Sequence, residues 1–201
     1  MIKVGLTGGI GAGKSIVSKI FNNLGIKIYD SDYQAKLLYL TDNSLKFELV
    51  QEFGEKVYTT EGVLNKKYLA EIVFNDKNRL AKLNHMVHPR VIIHFENWIN
   101  EQKENPYIIK EAAILFDSGA NNYTDKIIVV IAPEDIRIRR IIVRDNILRS
   151  EVIKRMKNQL PQEKIVKKAN YVIVNNGIQP VLPQVLFIHH ELLKLSSVWI
   201  V

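Results

Sequence analysis

The sequence contains no cysteine, which removes disulfide scaffolds, thiolate metal sites and cysteine nucleophiles together and fits a reducing compartment. No apolar stretch approaches the roughly 18 residues of a membrane span. The opening MIKVGLTGG meets glycine after a short apolar run, unlike a secretory signal. A cytoplasmic protein with no membrane partner is therefore expected. The five histidines show no H-E-x-x-H or comparable ligand spacing, and His189 and His190 fall on a predicted helix where adjacent side chains diverge, so no structural metal is expected. Trp98, Trp199 and the eight tyrosines follow no spacing of a base-stacking platform and are read as packing residues. There is no internal repeat, no low-complexity tract and no clean interdomain linker.

What is present is ordinary globular material. The 201 residues are 47% hydrophobic and 24% charged, enough for one compact domain with local insertions. The net charge of +7 favours anionic partners, and phosphorylated small molecules satisfy it as readily as nucleic acid.

Ile2 to Leu6 is a short, mostly apolar run followed by glycines, the pattern of the first strand of a parallel sheet. Ile16, Val17, Ile20, Phe21 and Leu24 then recur at helical spacing, and Gly25 suits the left-handed position after a helix end. Ile26 to Tyr29 reads as a second strand running into the polar cluster Asp30-Ser31-Asp32, and the carboxyl edge of such a sheet is where ligands bind. From Tyr33 to about Asn105 the patterns are helical. Further strands are expected at Tyr107 to Lys110, Ile127 to Ile131 and Tyr171 to Val174, with an arginine-rich helical stretch from Glu134 to Lys168 and a last helix from Val181 to Leu195. Strands alternating with helices, and helices gathered in two insertions, predict a three-layer α/β fold of the P-loop class with a parallel sheet, a helical insertion at about 33–105 and a helical lid at about 134–168.

The chemistry concentrates in GGIGAGKS at residues 8 to 15, which meets G-x-x-x-x-G-K-S through Gly8, Gly13, Lys14 and Ser15. Gly9, Gly11 and Ala12 complete a loop small enough for its N–H groups to curl around phosphate oxygens, and the following helix, with Ile16 in its first turn, turns its positive end to the same anion. Lys14 would hold the β and γ phosphates and the Ser15 hydroxyl would ligate magnesium arriving with ATP. The N-K-x-D base-reading pattern of GTPases is absent. No strand ends in an aspartate of the usual magnesium-binding kind, since Ile127 to Ile131 leads into Ala132-Pro133-Glu134. Small size, a helical insertion and an arginine-rich lid suit a small-molecule kinase, which must exclude water from the transferred phosphoryl group.

Seven segments in order make a more specific resemblance: LTGGIGAGKS at 6–15, LGIKIYDSD at 24–32, MVHPRV at 86–91, EAAILFDSG at 111–119, RRIIVRD at 139–145, SEVIKRMKNQ at 150–159 and ANYVIVNNG at 169–177. Together they resemble the dephospho-CoA kinase family. The resemblance implies ATP and dephospho-CoA as partners, with transfer of the γ-phosphoryl to the ribose 3′-hydroxyl. It matches Asp32 to the general base and Arg144 to the lid arginine that approaches the ATP phosphates, with Arg140 as a second. Asp30 could support that base, the metal-water shell or a helix start, and either aspartate could be only a helix cap. His88, beside Pro89, and Leu115, in the segment after the third strand, are acceptor-side candidates, although Pro89 could merely break or start a helix with His88 packing. Arg137, Arg149 and Arg155 are read as a solvated helix face, and the lid charges as unpaired without ATP. The chain departs from many relatives in Ala113-Ile114-Leu115-Phe116-Asp117, where they carry P-L-L-F-E, and in Ile16, where they carry threonine. A nucleoside monophosphate kinase is the nearest alternative. A nucleic-acid-binding ATPase would leave Asp32 and the insertion unexplained. Oligomeric state is not set by the sequence.

Overall fold

Ile2–Thr7 forms β1, and in this computed structural model, which describes residues 1–74 and 76–197, it is the middle strand of five. β3 (Tyr107–Glu111) lies on one side of it and β4 (Lys126–Ile131) on the other, with β2 (Ile28–Asp30) and β5 (Tyr171–Val174) at the edges. All four pairings are parallel, and the register sets Leu6 opposite Glu111, Asp30 opposite Glu111 and Val4 opposite Lys126. The near-continuous apolar runs of these strands follow from burial on both faces, as Val4, Leu6, Ile108, Ile109, Ile128, Val129 and Val130 show. Lys110 is the exception. It is buried in β3, with Nζ 5.9 Å from the ring centroids of both Tyr29 and Tyr123, whose faces receive its charge.

The chain divides into two compact units, Met1–Asp30 with Gln102–Val201, and Ser31–Glu101. In the first, α1 (Lys14–Asn23) and α9 (Val181–Ser197) pack on the sheet through Val17 and Phe21 and through Val185, Ile188 and Leu192. Phe21 meets the Tyr107 ring edge-on at 6.4 Å, and the Tyr107 hydroxyl lies 2.6 Å from His189 Nδ1, closing the amino end of the core. Between β4 and β5 run α6 (Glu134–Asp145), α7 (Arg149–Lys157) and α8 (Gln162–Val166). A parallel sheet clothed in helices is the predicted three-layer fold.

The second unit holds α2 (Ser31–Thr41), α3 (Asn43–Phe53), α4 (Lys66–Phe74) and α5 (Lys77–Asn100). Among its described residues the only β pairing is an isolated bridge between Tyr58 and Leu64. Arg90 ties α5 to α3 by reaching Asp42 at 3.1 Å and Glu48 at 2.6 Å while also donating to the Met86 carbonyl at 2.7 Å. Pro89 neither starts nor ends a helix, since it lies inside α5, where it withholds the donor that the His85 carbonyl would otherwise meet. Trp98 stacks on Phe95 with ring centroids 6.2 Å apart, a packing role. Trp199 lies outside the described residues. No described helix is long and apolar enough to cross a membrane.

Candidate active site

The loop from Gly8 to Gly13 joins β1 to α1 at the carboxyl edge of the sheet. Gly13 caps α1 with φ 98° and ψ 29°, a left-handed conformation that L side chains rarely adopt. A Cβ there would also strike Asn175 Nδ2. The cap carries no side-chain hydrogen bond and the first turn of α1 no acidic residue, so the helix leaves its positive end to an anion. Lys14 Nζ donates to the Gly8 carbonyl at 2.9 Å, which folds the lysine back over the loop. Ser15 and Ile16 are exposed at the start of the helix, and Ala12 is fully buried beneath the loop.

Two groups support this loop that sequence reasoning did not place there, Asn175 having no expected role and Glu111 being expected only in the 111–117 segment on the acceptor side. Asn175, one residue beyond β5, is buried and donates from Nδ2 to the Ala12 carbonyl at 2.9 Å. Glu111, the last residue of β3, accepts a hydrogen bond from the Ser18 hydroxyl of α1. The expectation that no strand ends in an aspartate of the usual magnesium-binding kind rests on β4 and leaves glutamate aside. The strand next to β1 ends in a glutamate instead, and only the strand order shows that it is a neighbour. Oxygen donors at Ser15 and Glu111 are the hard ligands that magnesium prefers. Among the described residues no cluster of three or more histidine, aspartate or glutamate side chains could hold a metal ion by itself, so the fit is to an ion that keeps much of its shell on a phosphate.

The arginines of α6 divide by position. Arg140 donates to the carbonyls of Gly11 and Ala12, both at 3.3 Å, and to Asn175 O and Oδ1 at 3.2 and 3.1 Å. Arg144, one turn on, has a side chain 62% exposed and forms two hydrogen bonds to Asp145, Nε at 2.7 Å and Nη2 at 3.1 Å. The Arg144 hydrogen bond holds the Asp145 carboxyl below the usual carboxylate range, and Asp145 in turn raises the Arg144 pKa. Arg155 joins the same carboxylate at 2.9 Å. The expectation of unpaired lid charges is corrected for Arg144 and Arg155, which share the Asp145 carboxylate, and Arg140 is occupied by loop carbonyls and Asn175. The solvated reading of Arg137 is corrected too. Arg137 is 8% exposed and donates from Nε to the Ile10 carbonyl at 3.0 Å. Arg137, Arg140 and Arg144 recur at three and four residues, one face of a helix, and that spacing could have set them apart from Arg139.

Leu115 is fully buried against Ala112 and Ala120 and forms a wall of a small cleft shared with Gly8, Gly9, Asp117 and Gln159. This places one acceptor candidate beside the loop. Asp30 ends β2 opposite Glu111. Asp32 and His88 belong to the helical unit, Asp32 exposed in the first turn of α2 and His88 half-buried in α5, where burial and then His85 lower its pKa.

Comparison with known proteins decides what this loop belongs to. A family model described as dephospho-CoA kinase matches residues 2–180. The chain belongs to the dephospho-CoA kinase family. It is 43% identical over 174 residues to the dephospho-CoA kinase of Fusobacterium nucleatum, covering 87% of this chain and 89% of that one. The crystal structure of TT1252 from Thermus thermophilus superposes with a TM-score of 0.83 at 32% identity, covering 94% and 96% of the two chains. The dephospho-CoA kinase of Campylobacter jejuni gives 0.70 at 26% identity, covering 96% and 97%. Membership makes the protein an ATP-using kinase.

Proposed function

We propose that this chain transfers the γ-phosphoryl group of ATP to the ribose 3′-hydroxyl of dephospho-CoA, giving coenzyme A and ADP, the last step of coenzyme A synthesis, in the cytoplasm and without nucleic-acid or membrane partners. The observation that carries the reading is the glycine loop closed by Lys14 at the uncapped start of α1, on a chain that matches the family over residues 2–180. The chain acts as one kinase domain, in which the helical segment of about 33–105 receives the acceptor and the segment of about 134–168 serves as the lid.

Each residue has a task. The backbone of Gly8, Gly9, Gly11, Ala12, Gly13, Lys14, Ser15 and Ile16 cradles the ATP phosphates, and Lys14 exchanges the Gly8 carbonyl for phosphate oxygens. Ser15 and Glu111 would hold magnesium, directly or through its water, and its positive charge would neutralise phosphate oxygens. Asp32 accepts the 3′-hydroxyl proton as the new O–P bond forms and the bond to the β-phosphate oxygen breaks, and the proton then passes to solvent. Arg144 leaves Asp145 for the transferred group as the lid closes, and Arg140 keeps the loop in shape. Asp30 supports the Asp32 segment, while His88 and Leu115 line the acceptor side.

The test is ADP release from ATP and magnesium with dephospho-CoA, AMP, CMP or no acceptor, with the product mass determined. Stimulation by dephospho-CoA with coenzyme A as product is expected, and stimulation by a monophosphate alone would overturn the acceptor. Asp32→Asn should lower kcat by about 10² to 10⁴-fold with ATP affinity nearly unchanged. Full activity in that variant would remove Asp32 from the role of base.

A further inference from the structure

The phosphate loop is gripped at Ile10 from three directions. The Ile10 N–H donates to Gln159 Oε1 at 2.8 Å, just beyond α7, and the Ile10 carbonyl accepts from Arg137 Nε at 3.0 Å, on α6. The Ile10 side chain packs against the buried cluster of Ile138, Ile141 and Val152 that joins α6 to α7. One loop residue thus gives its donor, its acceptor and its apolar surface to the helices after β4. The G-x-x-x-x-G-K-S pattern leaves this position free, so nothing in the motif requires the grip.

The fit is close. A Cβ at Gly9 would collide with the Arg137 guanidinium, and one at Gly11 would press on the Arg137 backbone. Arg137 is buried at 8% exposure, with Glu134 and Glu163 offsetting the cost of that burial. A guanidinium is costly to bury, and a substitution that left the Ile10 carbonyl unpaired would be costly as well. We propose that Gln159 and Arg137 are positioning residues for phosphoryl transfer: by clamping the two peptides that flank the Ile10 Cα they lock the phosphate loop to the α6–α7 pair and hold its cradle in shape before ATP arrives. The clamp acts on the loop and not on the acceptor. It rests on the reading that ATP phosphates occupy this loop, and it carries that reading to residues outside the motif.

The test is a double-mutant cycle of Gln159→Leu and Arg137→Met on the full chain, with magnesium and ATP titrated directly and steady-state kinetics run alongside. Each single variant should weaken ATP binding by about tenfold, the size of one lost hydrogen bond to a shaped site. The KM for dephospho-CoA should stay within about twofold, and the double variant should lose little more than the worse single one, since both groups hold one residue, by the peptides on its two sides. A purely structural role would lower the melting temperature and leave ATP affinity unchanged well below it, and that result overturns the proposal. Additive losses overturn it, and so does a rise in the acceptor KM alone, which would make Gln159 an acceptor contact. Direct ATP titration needs no acceptor, so a wrong acceptor would show only in the transfer assay and leave this test intact.

Discussion

Arg140 and Arg144 stand about one turn apart on one face of α6 and are held in opposite ways. Arg140 is enclosed by three carbonyls and the Asn175 amide oxygen, all parts of the loop and its support. Arg144 is mostly in solvent, paired with the neighbouring Asp145. An arginine whose donors are saturated by backbone behaves as a strut, because moving it leaves buried carbonyls unpaired. An arginine held by one exposed carboxylate can exchange it for a phosphate at little cost, since exposed pairs contribute only about 0–1 kcal/mol. Arg140 fixes this helix to the loop, whereas Arg144 in its far turn is held through Asp145.

The most severe way to break the comparison is Arg140→Ala, which takes the arginine donor from the Gly11 carbonyl and both Asn175 oxygens and leaves the Ala12 carbonyl with Asn175 Nδ2 alone. It should cost about 2–3 kcal/mol of stability, a fall of about 5–10 °C in melting temperature, together with most transfer activity. An unchanged melting temperature would make Arg140 no more structural than Arg144. Next is Arg144→Ala, expected to lower kcat about a hundredfold with melting temperature within about 1 °C of the parent. A large thermal loss here would erase the distinction.

Asp145→Asn sharpens it further, because it frees Arg144 and Arg155 without touching the loop, and kcat should change by less than about threefold. The Asp145 pKa is depressed in the folded protein, so its contribution is present above the unfolded value and lost as pH falls through the folded one. The variant should therefore show a shallower loss of melting temperature in that acid window. The smallest effect lies at the amino end of the sheet. The Tyr107 hydroxyl lies within hydrogen-bond distance of His189 Nδ1, and the His189 pKa is lowered by burial and then by His190. The unfolded chain binds the proton more readily, so this contribution is complete above about pH 6.5 and falls away as pH drops toward the lowered folded value. His189→Gln should flatten the melting-temperature decline between pH 7 and 5.5 by about 1–2 °C and leave kcat unaltered.

The strands were legible because burial on both faces leaves continuous apolar runs, and the loop because its glycines and Lys14 are adjacent in the chain. Boundaries moved by a residue or two, with β2 starting at Ile28 and β4 at Lys126, since hydrogen-bond pairing and hydrophobicity do not end together. The supports of the site were harder to read. Asn175 reaches Ala12, Gln159 reaches Ile10 and Glu111 meets Ser18 across long stretches of chain, and no local pattern marks an asparagine, glutamine or glutamate for such a contact. Arg137 was misread because a basic run looks solvated until the sheet shows which helix face meets the loop.

The strand order has a consequence for how the protein is made. β1 is synthesised first, but its partners come late, as Ile2 pairs with Tyr107 and Val4 with Lys126. Until Tyr107 has left the ribosome the first strand has no neighbour, because β2 adjoins β3 and not β1. The nascent chain therefore carries an open apolar edge and an unformed phosphate loop while the whole helical segment is translated. The support of the loop is complete only after β5, when Asn175 emerges to reach the Ala12 carbonyl.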